Sequence, residues 1–159
     1  MKTTEISLLR LHNQRVTANH LSSAEEVVRH LGAVQAQDYP MSRWALGARI
    51  PGAKETEIEQ ALNDGKILRT HVLRPTWHLV TADNLSWMLE LTAPIIRRLM
   101  GTNNRLLGLM EGHFHTGNQL FEKALENDHL TREELQQYLQ REGVTMNGQQ
   151  MGHLLVRAE

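Results

Sequence analysis

Two carboxamides stand one residue apart in the run Leu31-Gly32-Ala33-Val34-Gln35-Ala36-Gln37-Asp38. An amide does not ionise near neutral pH, so neither Gln35 nor Gln37 serves as a strong general base or a covalent nucleophile. Such a pair can hold and polarise a water, with acceptor dipoles facing a developing positive charge. In an unbroken helix the two side chains project about 200° apart, whereas in an extended stretch they share a face. Joint action therefore requires the backbone to leave the helix near Gln35, and Pro40 favours an early exit. The other role open to the pair is capping, by hydrogen bonding to the free carbonyls of a helix end. Asp38 is the ionisable neighbour: its carboxylate would activate water and stabilise a cation, but an Asp before Tyr39-Pro40 is also an ordinary turn residue, which is the simpler reading.

A second group of functional side chains gathers around Arg74-Pro75. Arg69, His71, Arg74 and His78 lie in or beside two short runs rich in β-branched and aromatic residues, Ile67 to Val72 and Thr76 to Val80, which read as a β-hairpin. Alternation puts Arg69 and His71 on one face of their strand. Hairpin arginines can enter a groove or grip phosphates, and a solvated wing is the plainer alternative. His78, between Trp77 and Leu79, reads equally well as a buried, hydrogen-bonded imidazole, and Trp44 and Trp77 are expected in the core. Arg97, Arg98 and Arg105 would extend a basic surface or complement a helix C-terminus. His113 and His115 flank Phe114 without a third ligand in sight, so they are read as loop histidines and no metal is assigned.

The elements that must position these residues are mostly legible. Ser23 and Glu26 form a capping-box pattern before Ala24, Val27, Val28, Leu31 and Val34, at the spacing of an amphipathic helix. A shorter helix is expected after Pro40 (Met41, Trp44, Ala45, Leu46, Ala48). A third is expected over Glu57 to Asn63, closed by Asp64-Gly65. After the hairpin, Asp83 should cap a long helix through Ile95, kinked at Pro94, with Arg97-Arg98 near its end. Three helices followed by a hairpin is the winged-helix order. Residues 101–159 begin the pattern again, with helices near Gln119–Glu126, from the Thr131/Glu134 cap to Arg141, and near Asn147–Val156. No second wing follows. The expected fold is therefore mainly α with a small β-hairpin, a tandem winged-helix arrangement. The first unit spans residues 1–100 and the second, truncated one spans residues 101–159, as the start of a longer natural protein.

Composition narrows the classes. The chain has 159 residues, 17 Lys plus Arg, 18 Asp plus Glu and no Cys. That excludes disulfide scaffolds, thiolate metal sites and thiol chemistry. A net charge of -1 shows no global basic footprint, yet residues 1–100 are net +2 and residues 101–159 net -3, so a polyanion would have to use a local patch. Glu55, Glu57 and Glu59 crowd the start of the third helix, where acids repel phosphates, so that helix is not expected to read a major groove. No run is long and apolar enough to span a bilayer, and a soluble, cytoplasmic protein is expected.

The Gln35-Ala36-Gln37 motif at a helix end, together with Arg69 and the strand Arg74-Pro75-Thr76-Trp77-His78-Leu79-Val80, resembles the AlkZ-like family of bacterial winged-helix DNA glycosylases, in its N-terminal portion. The resemblance implies a catalytic role for Gln35 and Gln37, double-stranded DNA carrying alkylated purines as partner, and no cofactor. Another branch of the family carries Asp at the second position; this chain has the Gln form. Asp38 and His78 are candidates for catalytic support, and Arg69, His71, Arg74, Arg97 and Arg98 for DNA binding. The residue chemistry agrees: a cationic N7- or N3-alkylpurine departs without an acid, so the paired carboxylates of most sugar hydrolases are not needed. The competing readings are a non-catalytic winged-helix DNA-binding regulator and a protein-interaction module.

Overall fold

A computed structural model describes residues 3–17 and 20–159, which form eight helices and a three-stranded sheet. The chain divides into two compact units, Met1–Thr92 and Ala93–Glu159. Among the described residues, no helix is long and apolar enough to cross a membrane.

The first unit opens with α1 (Thr3–Asn13), which buries no residue and which the sequence patterning did not suggest. The helix α2 (Ala24–Leu31) starts where expected, with the Ser23 hydroxyl accepting from the Glu26 N–H. Its inward face carries Ala24, Val27 and Val28. Gly32, at φ +78°, turns the chain out of the helix, so Val34 is not a helical residue as its spacing suggested. Val34–Gln35 instead form β1. Asp38 caps α3 (Tyr39–Gly47), its carboxylate accepting from the Met41 N–H at 3.0 Å. Tyr39, although a residue before proline favours extended backbone, is the first helical residue, and Asp38 takes the extended conformation instead. Pro40 fits the first turn, where its missing N–H has no intrahelical role. α4 (Glu55–Asn63) closes at Asp64 and Gly65, as expected.

The hairpin is present as β2 (Ile67–His71) and β3 (Trp77–Thr81), antiparallel, with Arg69 opposite Leu79 and His71 opposite Trp77. β1 adds to the other edge of β3, with Val34 opposite Leu79 and Gln35 opposite His78, giving the order β1-β3-β2. Successive residues of a strand face opposite ways, and here both faces are covered. Ala36, Ile67 and Leu79 join Val27, Val28, Leu46 and Ile58 in a core against α2, α3 and α4. Val72 and Val80 pack on Met88 of α5 (Ala82–Leu106). Burying each such aliphatic side chain contributes about 1.5–3 kcal/mol.

Two expectations fail in α5. The helix begins directly after Thr81, so Asp83 lies in its first turn and pairs with Arg29 rather than serving as the cap. It also continues through Gly101, Asn103 and Asn104, so Arg97 and Arg98 sit in its interior and do not complement its end.

The second unit follows its local signals more closely. α6 (Glu111–Leu125) starts well before Gln119, so His113 and His115 are helical rather than loop residues, and the His113 Nδ1 accepts from the Met110 N–H at 3.0 Å. α7 (Arg132–Arg141) carries the complete Thr131/Glu134 box, and α8 (Gly148–Ala158) is capped by Asn147. Phe114, Phe121, Leu135, Leu139, Met151 and Leu154 make its core.

Gly32 holds a φ that L-residues rarely adopt. Gly32→Ala is expected to cost about 1–3 kcal/mol of stability, read as a lower urea midpoint at unchanged slope. An unchanged midpoint would mean that the exit from α2 carries no conformational constraint.

Candidate active site

Gln35 ends β1, and after Ala36 the chain bends at Gln37 and Asp38 into α3, so both glutamines lie outside any helix, Gln35 on the sheet and Gln37 in the bend beyond it. Both are exposed, with the buried Ala36 between them. The Ala36 N–H donates to the Trp77 carbonyl at 2.8 Å, carrying the β1–β3 pairing one residue beyond the strand. The Gln37 carboxamide oxygen accepts from the Trp77 N–H at 3.4 Å. Neither glutamine caps α2, which ends at Gly32 before them.

Gln35, His78 and Thr70 stand directly opposite one another across the three strands and therefore share a face. His78 is buried at 5% exposure, and its Nδ1 lies 2.8 Å from the Thr76 carbonyl. A carbonyl only accepts, so Nδ1 carries the proton and Nε2 keeps its lone pair in the neutral ring. Burial lowers the His78 pKa below the ordinary 6.5, outweighing the Thr76 bond, and Arg74 and His71 push it the same way. The imidazole is thus a neutral acceptor near pH 7, in the same row as Gln35.

The remaining candidates separate. Arg74 is exposed at the turn of the hairpin, next to Leu73, whose φ is +66°. Arg69 and His71 share a strand face as expected, but that face turns to the helical core. His71 is 9% exposed, with its ring centroid 3.9 Å from that of Trp77. The Arg69 guanidinium lies over Trp77 at 4.3 Å, and its Nε donates to the Ala36 carbonyl at 3.0 Å. Arg97 and Arg98 are exposed on the part of α5 that belongs to the second unit. Asp38 is exposed and engaged as the α3 cap.

Sequence reasoning missed three features of this region. Trp44, expected in the core, is 68% exposed and lines a cleft of about 440 Å³ between α3 and α4 with Pro40, Arg43 and Glu55. The acids of α4 have an internal partner: Arg43 pairs with Glu55 at 2.9 Å and with Glu59, and stacks 4.6 Å from the Tyr39 ring. The signal for β1 was present, since Val34-Gln35-Ala36-Gln37 alternates apolar and polar two residues after Gly32.

Residues 28–159 match the family described as DNA glycosylase AlkZ-like. The chain belongs to the AlkZ-like DNA glycosylase family. Its fold is similar to that of the Streptomyces sahachiroi DNA glycosylase AlkZ, with a TM-score of 0.73 and 20% identity over 94% of this chain. The match covers 42% of that AlkZ chain. A comparison with curated proteins finds no match. The glutamine pair, the sheet edge that holds it and His78 all fall inside the stretch matched to the AlkZ-like family.

A histidine whose pKa is lower folded than unfolded takes up its proton preferentially when unfolded. Its contribution is fully present above the unfolded value and is lost as pH falls from about 6.5 toward the folded value. Stability should therefore decline as pH falls below about 7, and His78→Gln should flatten that decline. His153, also lowered by burial, leaves part of it in place. Urea midpoints across this range measure the effect, and parallel curves for the two proteins would exclude a buried neutral His78.

Proposed function

We propose that this chain is the part of a DNA glycosylase that hydrolyses the N-glycosidic bond of cationic alkylated purines, with Gln35 and Gln37 positioning the attacking water. The reading rests above all on the placement of both carboxamides on one exposed, non-helical segment between α2 and α3. Family membership supports glycosylase chemistry, and the helix-helix-helix-hairpin order of α2, α3, α4, β2 and β3 supports a winged-helix scaffold for DNA.

An N7- or N3-alkylpurine carries a positive charge before anything happens. When its bond to the anomeric carbon breaks, both electrons pass to the ring, which leaves neutral and needs no general acid. The water oxygen bonds to the anomeric carbon and one water proton goes to solvent. The protein's task is to align that water and to face acceptor dipoles at the sugar cation, a task carboxamide oxygens perform without ionising. His78 Nε2, an acceptor on the same face as Gln35, is a supporting candidate for the water's hydrogen bonds. Asp38 is better accounted for by the α3 cap. Arg74, Arg97 and Arg98 are the exposed cations for DNA backbone contact. The acids of α4 argue against the alternative of a sequence-reading regulator, because negative side chains would line its recognition helix.

The complete gene product should release N7-methylguanine from an oligonucleotide and leave undamaged purines in place, because these depart as poor, uncharged leaving groups. Gln35→Ala and Gln37→Ala should each slow release by about 10²-fold, the scale of losing one positioned polar group in an active site. Abasic sites counted by strand cleavage measure both. Absence of release by wild type, or release that survives both substitutions, would overturn the proposal.

A further inference from the structure

The residue between the two glutamines is held through both of its backbone polar groups. Its N–H, on Ala36, donates to the Trp77 carbonyl at 2.8 Å. Its carbonyl, also on Ala36, accepts from Arg69 Nε at 3.0 Å, across 33 residues of sequence. The two partners touch each other, since the Arg69 guanidinium carbon lies 4.3 Å from the Trp77 ring centroid. Trp77 holds Gln37 as well, through its own N–H. On the far side of the motif, the same guanidinium lies 5.5 Å from the ring of Tyr39, the first residue of α3. Tyr39 in turn sits under Arg43, which Glu55 and Glu59 anchor.

Arginine is suited to this place in a way that lysine is not. A planar guanidinium stacks on an aromatic face while its Nε, in the same plane, still donates sideways to a carbonyl. A lysine ammonium is a compact point donor on a flexible stem and cannot do both at once. The geometry also opposes an outward role: a phosphate contact needs a displayed guanidinium, as at Arg74, whereas Arg69 is half-buried and its Nε is already committed.

We infer that Arg69 is a positioning residue, which fixes the Ala36 carbonyl and so the backbone path that carries Gln35 and Gln37, rather than a DNA phosphate contact. Its effect on catalysis rests on the proposed hydrolase reading. The clamp itself does not.

Arg69→Lys tests this in two independent ways. On 15N-labelled protein, the amide resonances of Ala36, Gln37 and Trp77 should shift and exchange faster with solvent, while Arg74→Lys leaves them in place. Unchanged amides in Arg69→Lys would overturn the clamp, whether or not the protein releases any base. In the release assay at saturating DNA, Arg69→Lys should lower kcat by about 10-fold or more, the cost of a small misplacement of reacting groups. Its Kd for DNA and the salt slope of that Kd should match wild type. A phosphate contact gives the reverse, namely an unchanged kcat, a weaker Kd and a salt slope reduced by about one, and that result would overturn the inference. Should Arg69→Lys fold poorly, Trp77→Phe keeps the backbone bonds and removes only the indole under the guanidinium. It should shift the Ala36 amide and lower kcat at unchanged Kd. No change in either would count against the stack.

Discussion

Two side chains separated by one residue can act together only if the backbone between them is extended, and an extended backbone must find partners for its N–H and C=O groups. That constraint organises the first unit. A strand as short as Val34–Gln35 has almost no stability of its own, so it exists only as an addition to β3, whose other edge is already paired with β2. The pairing is non-local and pays loop-closure entropy. What repays it is burial on both faces of the sheet: Ala36 and Leu79 against the helices on one side, Val80 and Val72 against α5 on the other. Gly32 is the local price, since an L-residue there would oppose the turn that starts the strand.

Charge is arranged around the same segment without placing an ion in it. Arg43 absorbs Glu55 and Glu59, so the acids of α4 act as an internal anchor for the start of α3. Asp38 is spent on the cap of that helix. His78 is kept neutral by burial. Both amides stay exposed at the motif, with the Gln37 oxygen also accepting from the Trp77 N–H. Under the function proposed above, such a setting suits a base that already carries its charge and departs without an acid.

What the sequence made legible was the local part. The caps at Ser23, Thr131 and Asn147 announce themselves because the residue that accepts and the N–H that donates lie within one turn. The hairpin is visible because its strands are long enough to show composition and alternation. The third strand was not recognised, for Val34 fits the helical spacing of Val27 and Leu31 as well as it fits a strand, and only the glycine decides between them. α5 passes through Gly101 and Asn103 because tertiary context overrides propensity. Trp44 shows the limit of arguing burial from size: its place on α3 puts it at a cleft rather than in the core. The glutamine pair was legible as chemistry, whereas the residues holding it were not. Arg69, a hairpin arginine by sequence, turns inward only because Trp77 and Tyr39, distant along the chain, supply ring faces for it.

This arrangement also explains why an amide suits the second motif position in this chain. A carboxylate at residue 37 would still accept from the Trp77 N–H, but it would bring a full negative charge within one residue of the carbonyl that Arg69 grips. A guanidinium offered a carboxylate forms the stronger, charge-assisted bond. Arg69 would then be drawn from a neutral carbonyl toward the acid, loosening its hold on Ala36. A carboxamide accepts the same N–H with no such pull. The clamp and the motif are therefore matched: a cation can hold the backbone between two side chains that carry no charge to draw it away.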